Sequence, residues 1–160
     1  MIDRAIAEAT NGVVLMGEVV VAITGASGAR YGVRLLQALT EAGWKTHVIV
    51  TREGALNLEL ECGISPEDLA NDSVILENNN NLAARSASGS ARFDAYIVCP
   101  ASGTTIGKIA SGISDNLATR SALVAMKERR KLILVPRESP YATPHLRAMT
   151  DLSEWGVVIL

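Results

Sequence analysis

Apolar and polar positions alternate along this chain on two scales. Five short apolar runs, at residues 19–23 (VVVAI), 46–50, 95–98, 132–135 and 157–160, have the length of strands, and the stretches between several of them repeat their apolar residues at helical spacing. After the first run, Tyr31, Leu35, Ala38, Leu39 and Ala42 fall on one helical face, and Gly43 closes the segment as a C-terminal glycine does. Helical propensity resumes over 53–61. Ser65-Pro66-Glu67-Asp68 then supplies an N-cap, a proline in the first turn and early acids, so two helices are expected after the second strand. Further helices are predicted over 116–130 and, briefly, over 144–151. Strands alternating with helices predict an α/β domain on an open, mostly parallel sheet. The run at 132–135 has no polar interruption and is expected at the centre of that sheet.

The stretch 19–32, VVVAITGASGARYG, joins a strand to a helix through small residues. Unpaired N–H groups of the first helical turn and the positive end of the helix dipole converge there, which suits an anion such as phosphate. Gly25, Ala26 and Gly28 let a ligand approach the backbone, and the Thr24 and Ser27 hydroxyls add hydrogen bonds. A tight strand-to-helix connection capped at Ser27 explains the same residues, and the pattern leaves both readings open. A second junction of this kind follows Cys99-Pro100, reading ASGTTIGKIASGIS. Ligands of open parallel sheets sit beyond the carboxyl ends of strands, so loops 24–28 and 101–105 are expected to line one crevice. Thr51 stands where dinucleotide folds place a carboxylate for the ribose, and a hydroxyl there suits another ligand.

The chain has 160 residues, 48% of them hydrophobic and 20% charged, in the range of one ordinary globular domain. Residues 1–18 read as an N-terminal extension and 19–160 as the domain. A formal charge of −2 gives no electrostatic reason to expect nucleic acid. No apolar run approaches the roughly 18 residues that cross a bilayer, and the first 16 residues lack the apolar core of a signal peptide, so a cytoplasmic chain is expected. Cys62 and Cys99 are too few for a disulfide framework or a zinc site.

Polar chemistry gathers in three more places. Residues 77–92 (ENNNNLAARSASGSAR) read as a long loop, either functional or a disordered excursion. In the helix over 116–130, Arg120, Val124 and Lys127 share one side. Arg137 and Glu138 follow the 132–135 strand directly, an adjacent cation and carboxylate that are costly there unless used or paired.

Taken in order, TGASGARYGVRLL, SASGS, CPASGTTIGKIASGISDNLATRSALVAMKERRKLILVPRESP and HLRAM resemble the UbiX family of flavin prenyltransferases. The resemblance implies a three-layer, Rossmann-like or flavodoxin-like domain with helices on both faces of the sheet. It also implies binding of FMN and dimethylallyl monophosphate, and synthesis of prenylated FMN for a partner UbiD-type decarboxylase. On this resemblance Gly25, Ala26, Ser27, Thr51, Ser102, Thr105 and Arg120 hold the flavin and its phosphate. Lys127 and Arg137 hold the allylic phosphate, Ser88, Gly89 and Ser90 form a loop closing on the prenyl substrate, and Glu61, Lys127 and Glu138 are catalytic. Alkylation of the flavin N5 and C6 breaks an allylic C–O bond, so fixed cations and a nearby carboxyl group suit the departing phosphate, and no metal is implied. Family members run on past the strand matching 157–160, and that tail adds a Tyr and an Arg to the phosphate site. For residues 1–160 alone the expectation is therefore normal FMN binding with slow prenyl transfer. A homo-oligomer whose site is completed by neighbouring subunits is also expected.

Three other readings are weighed against this one. A flavin-dependent cysteinyl decarboxylase shares the ISDNL-type segment but needs a catalytic His and a Pro-Ala-Met-Asn motif, where this chain reads VPRESP. A short-chain dehydrogenase needs Tyr-x-x-x-Lys, and none of Tyr31, Tyr96 or Tyr141 has a Lys four residues on. A non-catalytic FMN-binding or carrier module is the non-enzyme alternative.

Overall fold

A computed structural model describes residues 16–160. The expected extension over 1–18 therefore lies outside the described residues, except that Gly17 and Glu18 already belong to the first strand. The order is β1 (Gly17–Ile23), α1 (Ala29–Glu41), β2 (Trp44–Val50), α2 (Arg52–Cys62), β3 (Val74–Glu77), β4 (Ala95–Ala101), α3 (Gly103–Ala110), α4 (Leu117–Lys127), β5 (Lys131–Pro136), α5 (Thr143–Glu154) and β6 (Val158–Ile159). The six strands form one parallel sheet in the order β3-β2-β1-β4-β5-β6. The order reverses between β1 and β4, the place where α/β sheets of this kind bind ligands.

Burial divides the molecule into three layers, as expected. Val19, Val21 and Ile23 of β1 point to one face with Val48 and Val50, where Ala29 and Leu36 of α1 and Leu58 of α2 cover them. Val20 and Ala22 point to the other face with Ile49, Tyr96 and Val98, beneath Ile106, Ala122, Ala125 and Leu152 from α3, α4 and α5. Because β1 is covered on both sides, nearly all of its residues are apolar, whereas a half-exposed strand would alternate.

Three expectations are corrected here. The segment after Ser65 is a single 3₁₀ turn, Pro66–Leu69, because Asp68 folds back on the Ser65 N–H and hydroxyl and the chain must then enter β3. That strand was not anticipated: it pairs only with β2, and its run of three apolar residues, Val74–Leu76, is too short to stand out. Finally, β5 is not central but fifth of six, bounded outside by a two-residue β6, and Ile133 and Val135 are only half-buried. An uninterrupted apolar run reports cover on two faces, which here remains partial.

Candidate active site

The junctions after β1 and β4 are stitched together by one hydroxyl. Thr24 Oγ1 donates to the Pro100 carbonyl at 2.7 Å and accepts from the Ser102 N–H at 2.8 Å. Thr24 is fully buried, so its hydroxyl serves the scaffold instead of a ligand. Beside it, the carboxyl ends of β1, β2 and β4 open into a crevice of about 520 Å³. Its walls include Gly25, Thr51, Ser102, Thr104, Thr105 and Lys108. The two loops expected to line one crevice do so.

Each of these groups has a local reason for its place. Thr51 caps α2 by accepting from the Gly54 N–H at 3.1 Å, and Ser102 caps α3 by accepting from Thr105 N–H at 3.2 Å. The remaining first-turn N–H groups of α3 have no partner within the helix, which leaves an anion-favouring end facing the crevice. Lys108, one turn further on, pairs with Asp115 at 2.6 Å, and this contact holds the Asp115 carboxyl below its usual range. Asn79, in the loop before β4, accepts from Leu117 N–H through its carbonyl at 2.8 Å and from Ala118 N–H through its side chain at 3.1 Å. It thereby fixes the start of α4 against the crevice. Nothing in the sequence marked Asn79 apart from its neighbours in the Asn run, because a loop residue bonding a distant helix start leaves no periodic signature. Lys108 was equally silent, being one cation in a short helix.

At the start of α1 the expectation of a bound phosphate is revised. Gly28, with φ of 108°, turns the chain there. The N–H groups of Gly28 and Ala29 are taken by the carboxylate of Glu61, at 3.0 and 2.8 Å. Partial burial pushes the Glu61 carboxyl up, but bonds from Gly28, Ser27 and Ala29 outweigh it and leave the group below its usual range. The anion at this helix end is thus the chain's own. Ser27 is exposed, and Ala26 is buried with its carbonyl accepting from Asn57 at 2.9 Å. The side chain of Arg137 passes close to Gly28, while Glu138 is exposed and accepts from the Ser139 N–H at 3.2 Å.

The remaining candidates gather elsewhere. Arg130 donates to the carbonyls of Gly89 (2.7 Å) and Ala91 and to the Tyr96 hydroxyl (3.1 Å), pinning the Ser88–Gly89–Ser90 loop beside the end of α4. Lys127 pairs there with Glu128, and a Cβ on Gly89 would press on both side chains. Residues 89–94 lead into β4 and 127–130 lead into β5, so this cluster lies at the amino ends of the strands. The seven residues of β4 put roughly 20 Å between it and the crevice. Within one chain, Lys127 and Ser88–Ser90 meet each other but not Ser27, Thr51, Ser102 or Arg137. Arg120 lies between the two ends, exposed on α4, and outside the crevice walls.

A parallel sheet in this order, with a polar crevice over its switch point, defines a nucleotide-cofactor-binding α/β protein. The chain belongs to the Flavoprotein family, whose model matches residues 14–160, and within it to the UbiX-type flavin prenyltransferases. It is 42% identical over 141 residues to flavin prenyltransferase UbiX of Thermoplasma acidophilum, covering 88% of this chain and 77% of the relative. It is 40% identical to the mitochondrial flavin prenyltransferase PAD1 of Saccharomyces cerevisiae over 88% of this chain, and spans only 58% of that relative's length. A crystal structure of AnUbiX (PadA1) in complex with FMN and dimethylallyl pyrophosphate superposes with a TM-score of 0.85 at 39% identity, covering 89% of this chain and 76% of that one. A dodecameric FMN-dependent UbiX-like decarboxylase from Escherichia coli O157:H7 gives 0.85 at 43% identity, over 89% and 78%. Two PPC decarboxylase mutant structures share the fold alone, at 20% identity.

Proposed function

We propose that this chain is a flavin prenyltransferase that binds FMN in the switch-point crevice and transfers a dimethylallyl group to it from a dimethylallyl phosphate. The observation that carries the reading is the match to flavin prenyltransferases over 88% of the chain, a span that takes in both the crevice and the Lys127 cluster. The crevice suits the cofactor: its volume is in the usual range for such ligands, and hydroxyls of Thr51, Ser102, Thr104 and Thr105 surround a helix end that favours a phosphate. When bound, FMN supplies the N5 and C6 atoms that accept the prenyl group.

The chain's own residues then divide the work. Gly25, Ala26, Ser27, Thr51, Ser102, Thr105 and Arg120 hold the flavin in this reading. Lys127 and Arg137 neutralise the departing phosphate, with Ser88, Gly89 and Ser90 enclosing the donor. Lys127 is free to do so at little expense, since its pairing with Glu128 is exposed and screened by solvent. Of the two proposed carboxylates, Glu61 is occupied with the α1 N–H groups, which leaves Glu138 to exchange a proton with the phosphate. The two clusters lie at opposite ends of one sheet, so a complete site joins the crevice of one copy to the Lys127 end of another. The dodecameric relative supports such an assembly. Prenylated FMN passes in this reading to a UbiD-type decarboxylase, and the two free cysteines fit a reducing cytoplasm.

Incubating the protein with reduced FMN and dimethylallyl monophosphate or diphosphate, and analysing the flavin by mass spectrometry, tests the reading. A flavin heavier by one prenyl unit is expected with at least one donor. FMN binding without any product would favour the carrier alternative.

A further inference from the structure

A buried polar cluster lies beneath residues 78–94, outside both groups of residues described above. His47 in the middle of β2 is 3% exposed, and its Nδ1–H donates to Glu77 Oε1 at 2.8 Å. The second carboxylate oxygen of Glu77 accepts from the hydroxyl of Ser86, which is fully buried. On the other side of the imidazole, Arg85 donates to Nε2 at 3.2 Å while pairing with Glu18 of β1. This partner set assigns the Nδ1–H tautomer, because Nε2 must accept from a guanidinium that has no lone pair to offer. Phe93 closes the cluster, with its ring edge-on to His47 at 5.0 Å and the Arg85 guanidinium over its face at 5.0 Å.

The cluster joins β1, β2 and β3 to one short segment of loop. Arg85 and Ser86 are bound at its front, and Arg130 holds Gly89 and Ala91 at its back. Between the two clamps stand Ser88 and Ser90, whose hydroxyls lie 2.8 Å apart and make no contact with the cluster. A polar network of this kind is costly inside a sheet layer unless every member is satisfied, and apart from His47–Glu77 its bonds run to the loop. Burial pushes the Glu77 carboxyl up, but bonds from His47 and Ser86 outweigh it and hold the group below its usual range.

We infer that His47, Glu77 and Ser86 are positioning residues that hold Ser88–Ser90 in register for the prenyl donor, an inference that rests on the prenyltransferase reading. None of the three lines the crevice, so their loss is expected to be felt at the donor alone. The test compares Ser86→Ala, Glu77→Gln and the double variant by hydrogen exchange of the peptide over 78–94, by donor KM and by FMN affinity. Exchange in that peptide is expected to rise about tenfold, with β1 and β4 unchanged. Donor KM should rise by about tenfold while FMN affinity stays within about twofold, and the double variant should be no worse than Glu77→Gln alone. Unchanged exchange, or a loosened loop with donor KM unmoved, overturns the inference. If Glu77→Gln does not fold, Ser86→Ala, which deletes one hydroxyl, carries the comparison. If the unaltered protein forms no prenylated flavin, the functional reading fails separately. A loosened loop then still supports the tether, and an unchanged one overturns it.

Discussion

The two ends of the sheet are built on opposite plans. At the carboxyl ends, small and hydroxyl residues leave a crevice of about 520 Å³, where Lys108 pairs with Asp115 while Arg52 and Glu53 also stand on its wall. At the amino ends of β4 and β5 the plan is different, and the opening of about 500 Å³ at the amino ends of β2 and β3 lies apart from it, between α1 and the turn before β3. Beside β4 and β5 the cation Lys127 stands 57% exposed next to a loop clamped by Arg130. One end is a container and the other a tool, and each is incomplete without the other. On the proposed reading the unit of function is a pair of ends from two copies, so damage at one end should separate cleanly from damage at the other.

The largest separation is expected from Lys127→Ala. Losing a charge-assisted bond to phosphate of about 1.5 to 3 kcal/mol slows turnover roughly 10- to 150-fold at limiting donor, and FMN affinity measured by titration should not change. Weakened FMN binding in that variant would break the division. Gly89→Ala sharpens the same contrast by geometry alone. Its new Cβ would displace the tips of Lys127 and Glu128, so activity should fall several-fold, by about 1 kcal/mol in the barrier, with Tm nearly unchanged. At the other end, Ser102→Ala removes the α3 cap. It should cost about 1 kcal/mol of stability by denaturant titration and weaken FMN, with donor KM at saturating FMN left alone.

The smallest effect concerns Glu61. Its folded carboxyl lies below the ordinary value, so its bonds to Gly28 and Ala29 contribute stability above about pH 4.3, and that contribution is lost as the pH falls through the folded value. Tm should therefore drop more steeply below about pH 5 in the unaltered protein than in Glu61→Gln, which has no charge to lose. Parallel curves would mean that the α1 N-terminus does not depend on this carboxylate.

Much of the crevice was legible because its signals are local. TGASG and ASGTT announce strand ends by their small residues, and Thr51 and Ser102 are helix caps at sequence positions that can be read directly. What escaped reading depends on contacts far apart in the chain. Asn79 bonds α4 across 38 positions or more, and the capture of the α1 end by Glu61 spans 33. Strand β3 was missed because its apolar run, Val74–Leu76, is one residue shorter than the shortest of the others and ends in Glu77. The placing of Lys127 was within reach. A helix that precedes a parallel strand must end at that strand's amino edge, so residues on its last turn never face the carboxyl-end crevice of their own chain. The motif resemblance put Lys127 and Thr51 in one site, while the topology sets them at opposite ends of the sheet within one chain.

That division can be tested by complementation. Thr104 is an exposed residue on the crevice wall, so Thr104→Arg should obstruct FMN without unfolding the chain, while Lys127→Ala disables only the opposite end. Co-expressing the two variants with separable tags, and assaying the purified mixed assembly for prenylated FMN, gives hybrid sites in which both ends are intact. The account predicts recovery to about a quarter of normal turnover, as random mixing of two copies per site requires. Mixed assemblies no more active than the sum of the two parents would contradict it.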